Sequence, residues 1–288
     1  MLPRRQISIM SGASGSGKTT IILQSIYAHQ NGYQFPIEYD GKNFAYIVAD
    51  RSMEETQKKA DKLKINVEVY GIVDDRTFKL SYLEEPRMAL MEAMKRIKNP
   101  FDVLVIDPIM LFMKGSNIDY QSVAQSLIWM NRVAFDMDVT ILGVHHSTKT
   151  RSDFKFMRPQ DRISGSAAFQ GFSGTQLALI GAGELEEPFD ELHVVSHMNA
   201  PYKALLTRDD NGWFQVISNE KAQLAKLGTF AKFFGKADKG TNKELEQFAE
   251  GIGMSRSQLY RELNKFVNDD MIVKVGRGVY ALSENKEE

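Results

Sequence analysis

Apolar positions follow two different rhythms along this chain. In the first two thirds, short apolar runs are separated by longer mixed segments. Ile7-Ser8-Ile9-Met10 alternates as a short strand does, and the apolar TTIILQSIYA, Thr19 to Ala28, suits a helix. Phe44 to Ala49 (FAYIVA), residues 101–107 (FDVLVID) and Asp138 to Val144 (DVTILGV) are near-continuous apolar runs. Such runs fit parallel strands buried on both faces, where simple alternation is not needed. Gly165 to Phe169 reads as a helix and Gln176 to Ile180 as a strand returning to the sheet, and Asn211-Gly212 marks a tight hairpin turn. Strands alternating with helices predict an α/β core over residues 1–217, with a mostly parallel sheet flanked by helices.

Beyond Ser218 the rhythm changes. Glu220 to Phe234 reads as a helix, and GKADKG, residues 235–240, as a polar hinge, so 218–240 is expected to be a helical linker. In 241–288, Thr241 with Glu244 forms a capping box ahead of an apolar stripe of Leu245, Phe248 and Ala249. After a turn holding Gly251 and Gly253, Ser255 with Gln258 opens a second helix, with Leu259, Leu263, Phe266 and Val267 at helical spacing. Residues 271–275 and 279–282, joined by Gly276-Arg277-Gly278, then read as a hairpin. Helix–turn–helix followed by a two-stranded hairpin resembles a winged helix.

Composition narrows the class without choosing a function. The 288 residues are 43% hydrophobic and 25% charged, ordinary values for a globular protein. There is no cysteine, which excludes disulfides and thiolate metal sites and is compatible with a reducing, cytoplasmic setting. No apolar run approaches the ~20 residues of a membrane span, so no membrane association is expected. A strand-like run follows Met1 to Arg5 at once, and no signal peptide is expected. The formal net charge is −1, so any nucleic-acid site must be a local patch.

The chemistry concentrates at GASGSGKTT, residues 12–20. Gly12, Gly17, Lys18 and Thr19 satisfy G-x-x-x-x-G-K-[ST] between a predicted strand and a predicted helix, the context this phosphate-binding motif requires. The glycines let backbone N–H groups of Gly12, Ser14, Gly15, Ser16, Gly17, Thr19 and Thr20 turn toward an anion at a helix N-terminus. Lys18 would reach the β- and γ-phosphates of ATP, and the Thr19 hydroxyl would ligate Mg²⁺. Asp107, at the end of an apolar run and followed by Pro108, is the expected acidic partner for the metal. No glutamate follows it. Asp50, at the tip of a strand expected beside the phosphate-loop strand, is the candidate general base, the alternative being a cap for the helix that begins at Ser52-Met53-Glu54-Glu55. His145 and His146 point opposite ways if extended, so at most one, taken as His146, can face the γ-phosphate.

In order, GASGSGKTT, AYIVADRSMEET, VLVIDPIMLF and ILGVHHSTK resemble the motifs of RecA-like P-loop ATPases, and most of all the RepA-type hexameric helicases of plasmids and phages. The resemblance covers roughly residues 1–217. It implies ATP held between subunits of a hexameric ring or filament, and single-stranded DNA as partner. In those relatives the acid at the Asp50 position is usually glutamate, one methylene longer. The resemblance also places polymer-contacting loops after the HH-S-x-K run. There, Lys149, Arg151, Lys155, Arg158 and Arg162 are interleaved with Phe154 and Phe156, a composition suited to phosphates and bases; a solvated loop is the alternative. RepA-type relatives carry a trans-acting arginine in the stretch matching residues 168–178, where this chain has none. Related RecA-like ATPases place a Lys and an Arg near a late strand hairpin, which makes Lys203 and Arg208 the candidates here; ordinary charges on an exposed hairpin are the alternative. If the winged helix binds DNA, Arg256, Gln258 and Arg261 lie on its reading helix and Lys274 and Arg277 on its wing; use of this domain for protein contacts is the alternative. Three functions follow: a DNA-dependent motor, a non-translocating RecA-like switch, and a small-molecule kinase. The kinase is disfavoured because no arginine-rich lid is present.

Overall fold

The computed structural model describes residues 1–114, 119–146, 167–185, 188–218, 226–237 and 239–283. The basic stretch with Lys149, Arg151, Lys155, Arg158 and Arg162 lies outside them, as does the start of the helix expected from Glu220. Contacts divide the chain into two units, Met1–Glu186 with Asp190–Val216, and Glu187–Phe189 with Ile217–Glu288.

The first unit is built on a nine-stranded sheet. Its strands are β1 (Ile7–Gly12), β2 (Phe44–Val48), β3 (Val67–Gly71), β4 (Val103–Asp107), β5 (Thr140–His146), β6 (Thr175–Ile180), β7 (Asp190–Ser196), β8 (Tyr202–Arg208) and β9 (Phe214–Ile217). They lie in the order β3-β2-β4-β5-β1-β6-β7-β8-β9. Pairings from β3 through β6 are parallel, whereas β6–β7 and β7–β8 are antiparallel. The continuous apolar runs have the physical cause expected of them. Ile7, Ile9, Leu104 and Ile106 join one buried cluster with side chains of α3 (Pro86–Arg96) and α4 (Tyr120–Asp136). Their neighbours Met10, Val103 and Val105 join another, on the opposite face, with Ile21, Ile22 and Ile26 of α1 (Lys18–Asn31). Each such side chain, fully buried, contributes roughly 1.5–3 kcal/mol.

Two expectations are corrected. The strand expected over Asp138–Val144 runs from Thr140 to His146. Asp138 adopts a left-handed φ of 58° ahead of it and accepts hydrogen bonds from Arg4 and Arg5. The strand of Asp50 is not beside β1 either: β4 and β5 stand between β2 and β1.

In the second unit, Leu227, Phe230, Phe234, Leu245, Ala249, Leu259, Leu263, Phe266, Ile272 and Tyr280 form one apolar core. Three of these come from 227–234, within the segment read from sequence as a linker. Helices Asn242–Gly251 and Arg256–Asn268 both begin with complete capping boxes, Thr241 with Glu244 and Ser255 with Gln258. Each cap is worth about 1 kcal/mol. The hairpin of β11 (Ile272–Gly276) and β12 (Val279–Leu282) is joined by a third strand, β10 (Lys239–Thr241). No described helix is long and apolar enough to cross a membrane.

Candidate nucleotide site at the carboxyl edge of the sheet

Strand β1 ends at Gly12 and α1 begins at Lys18, so residues 13–17 form the loop between them. Gly17 caps α1 at φ 93°, a left-handed conformation that disfavours any side chain, and no side chain caps the helix. A Cβ at Gly12 would lie 2.7 Å from the Leu179 carbonyl oxygen and 2.8 Å from Ser16 Oγ, so this position also requires glycine. The first turn of α1 carries no acidic residue, and Ser16 Oγ is buried without a hydrogen-bond partner. Uncapped N–H groups, the positive end of the helix dipole and a buried orphan hydroxyl make this loop fit a phosphate. Lys18 is only 5% exposed, and its Nζ donates to the Gly12 and Ala13 carbonyls at 2.8 Å each. The ammonium thus already lies folded over the loop.

Register places the remaining groups. Gly12 pairs with His146 across β1 and β5, and Val48 pairs with Asp107 across β2 and β4. Asp107 is 3% exposed, and its Oδ2 accepts from Tyr46 OH at 2.7 Å, Thr19 Oγ1 at 3.1 Å and Arg51 at 3.4 Å. Burial and the Asp107 charge raise the Tyr46 phenol well above its ordinary pKa, so it stays a neutral donor. Among the described residues no three His, Cys, Asp or Glu side chains converge as a metal cluster. A divalent cation here would instead be held by Thr19 Oγ1 and Asp107, together with the phosphates, a hard-oxygen set that suits Mg²⁺.

The two histidines separate as their alternation requires. His145 is buried, its ring stacked on Phe169 at 4.7 Å. His146 lines the cleft, and its Nδ1 is buried without a hydrogen-bond partner. Burial first, then the Lys18 charge, holds the His146 imidazole below its ordinary pKa; Asp107 and Asp50 oppose this.

The cleft encloses about 280 Å³. Its lining joins Ser14, Gly15, Gly17, Lys18, Thr19 and Thr20 with Asp107, His146 and Arg208, and with Arg51, Glu55 and Lys59. The last three, and Tyr46, were missed from sequence. Arg51 stood next to the singled-out Asp50 and Glu55 in the first turn of the helix that follows, whereas Tyr46 looked like one more apolar strand position. Asp50 is exposed and outside the lining. It does not cap α2 (Glu54–Leu63) either: the Asp74 carboxylate accepts from Met53 N at 2.7 Å and Ser52 Oγ at 3.0 Å.

Of the finger candidates, Lys203 pairs with Glu191 at 2.9 Å and does not line the cleft. Arg208 reaches this chain's own loop, donating to the Ser16 carbonyl at 2.8 Å while held by Asp190 at 2.8 Å and stacked over Phe214. In the second unit, Arg256 pairs with Glu246 at 2.8 Å. Gln258 spends its carbonyl on the cap, accepting from Ser255 N and Oγ. Gln258 and Arg261 line a separate cleft of about 490 Å³, and Lys274 and Arg277 are exposed.

Comparison with known proteins agrees with this construction. No curated protein sequence gives a significant match. A DnaB-like replicative helicase, whose structure was solved for its interactions with primase, is 13% identical with a TM-score of 0.52. The match covers 75% of this chain and 59% of that one, so the chain spans less than two thirds of that helicase. A KaiC-like protein from the hyperthermophilic archaeon Pyrococcus horikoshii OT3 is also 13% identical, with a TM-score of 0.48, covering 75% of this chain and 92% of that one. The helicase likeness shows the fold, a RecA-like α/β core. The family model described as AAA domain matches residues 1–152, more than half of the 288 residues and the whole strand–loop–helix and Asp107 machinery. The chain belongs to the AAA domain family and is a P-loop ATPase.

Proposed function

We propose that this protein is an ATP-dependent DNA-binding motor of the RepA-type hexameric helicase group, hydrolysing ATP at subunit interfaces to act on single-stranded DNA in replication or recombination. Magnesium-bound ATP would supply the hydrolysable phosphoanhydride. Lys18 would leave the Gly12 and Ala13 carbonyls for the phosphates, and Thr19 and Asp107 would hold the metal. Asp50 would polarise the attacking water, Lys203 would contribute at the interface, and Arg208 would act on this chain's own loop.

One observation carries the coupling to a polymer. His146 lines the cleft with an unpaired, buried Nδ1, and it is the residue directly before the basic stretch Ser147–Ser164. A hydrogen bond gained or lost at His146 on hydrolysis would pull on the chain that carries Lys149, Arg151, Lys155, Arg158 and Arg162. Helix–turn–helix plus a hairpin with Lys274 and Arg277 exposed supports a winged helix that binds duplex DNA or a protein, and its core supports a domain starting near residue 217.

The decisive experiment measures ATP hydrolysis and solution mass with and without single-stranded DNA, together with unwinding of a forked duplex. A motor shows stimulated hydrolysis, ATP-dependent rings and unwinding, and Lys18→Ala abolishes all three. Stimulation without unwinding selects the second reading, a non-translocating switch. That reading is favoured by Gln258, whose side-chain carbonyl is taken by the Ser255 cap.

A further inference from the structure

One guanidinium nitrogen of Arg51, Nη2, lies 3.4 Å from Asp107 Oδ2 and 3.2 Å from Thr19 Oγ1. These are the two oxygens assigned above to the metal, and the inference rests on that assignment. We propose that Arg51 is a positioning residue that stands in for the metal: it holds Thr19 and Asp107 together in the nucleotide-free protein and must leave before a divalent cation can bind them.

Three observations support the exchange. The Asp107 side chain is 4% exposed, so its charge needs compensation, and Arg51 lies within ion-pair distance of it. Oδ2 already accepts from Tyr46 and Thr19, so an incoming cation meets an oxygen with three donors aimed at it. Arg51 is the one of the three able to withdraw, because its side chain is 45% exposed and Tyr46 is wholly buried. Two cations cannot share this oxygen pair, since both need the same lone pairs and their charges repel within a few ångströms. Arg51 therefore suppresses binding of metal alone and favours entry of metal together with phosphates, whose charge can draw the guanidinium aside.

The test is Mn²⁺ binding to the full chain without nucleotide, followed by electron paramagnetic resonance at low ionic strength. Arg51→Ala should raise Mn²⁺ affinity about fivefold, the scale of a half-exposed ion pair. Arg51→Lys, which keeps the charge, should stay nearer the wild type. Adding Asp107→Asn to Arg51→Ala should remove the gain. Equal, weaker or undetectable Mn²⁺ binding by Arg51→Ala, with an unchanged thermal melt, overturns the proposal. A parallel titration with Mn²⁺·ADP separates this failure from failure of the metal assignment: if Asp107→Asn binds Mn²⁺·ADP as the wild type does, Thr19 and Asp107 are not the metal site.

Discussion

Asp107 and Asp50 both follow apolar runs in neighbouring parallel strands, and they come to opposite ends. Asp107 is the last residue of β4, level with Val48 of β2, and its buried carboxylate gathers three donors. Asp50 stands two residues past the end of β2, exposed and outside the cleft lining, with its charge felt at His146. A shift of two residues along the strand axis thus separates a carboxylate built into the fold from one that must be brought to the chemistry. The first belongs to the ground-state architecture; the second can act only through substrate, water or a change of conformation.

The comparison breaks most visibly at Asp107. Asp107→Asn keeps the shape but removes the charge that Thr19, Tyr46 and Arg51 surround. Magnesium-dependent turnover should fall by more than about 10²-fold, read from steady-state hydrolysis. Asp50→Asn should also lower kcat by roughly 10²-fold if it polarises water, but with nucleotide affinity unchanged in a calorimetric titration. Full activity in Asp50→Asn would leave Asp107 as the only acid of the pair with a chemical role. Tyr46→Phe is a smaller probe. It deletes a buried donor to a charged acceptor, which costs roughly 1.5–3 kcal/mol. The melting temperature should drop, and drop by less when Asp107→Asn is already present.

The legibility of these parts follows from what each depends on. The cradle was readable because every element of it is local: Gly12, Gly17, Lys18 and Thr19 lie within eight residues, with strand before and helix after. The β4 run ending in Asp107 was readable because burial on both faces leaves an unbroken apolar signature. Strand order was not, since which strand lies beside β1 depends on crossovers that no local pattern encodes, and Asp50 was misplaced for that reason. Tyr46 and Arg51 were hidden differently. A tyrosine inside FAYIVA reads as a core residue, and its hydroxyl matters only once β2 and β4 are in register. Arg208 was singled out for a neighbour's nucleotide, yet the β6–β9 extension brings it to this chain's own loop. In the second unit both capping boxes were legible, while the apolar contribution of Leu227, Phe230 and Phe234 needed the tertiary core to be seen.

The finest probe of the two acids is the residue that senses both. Burial and Lys18 depress the His146 pKa, Asp107 opposes them more strongly than Asp50, and Arg51 adds to the depression. The folded protein therefore resists protonating His146 at pH values where the unfolded chain, near the ordinary imidazole value of about 6.5, takes up a proton. Stability linked to this group is fully present above that value and is lost as pH falls from it toward the lower folded pKa. His146→Gln carries no such linkage, so in nucleotide-free protein its melting temperature should gain on the wild type between pH 7.5 and pH 5.5. An imidazole titration by NMR then ranks the acids directly. Asp107→Asn should depress the His146 pKa further, and Asp50→Asn should do so by less. If Asp50→Asn gives the larger change, Asp50 lies nearer the phosphate end of the cleft than its exposed position after β2 suggests, and the contrast between the two acids inverts.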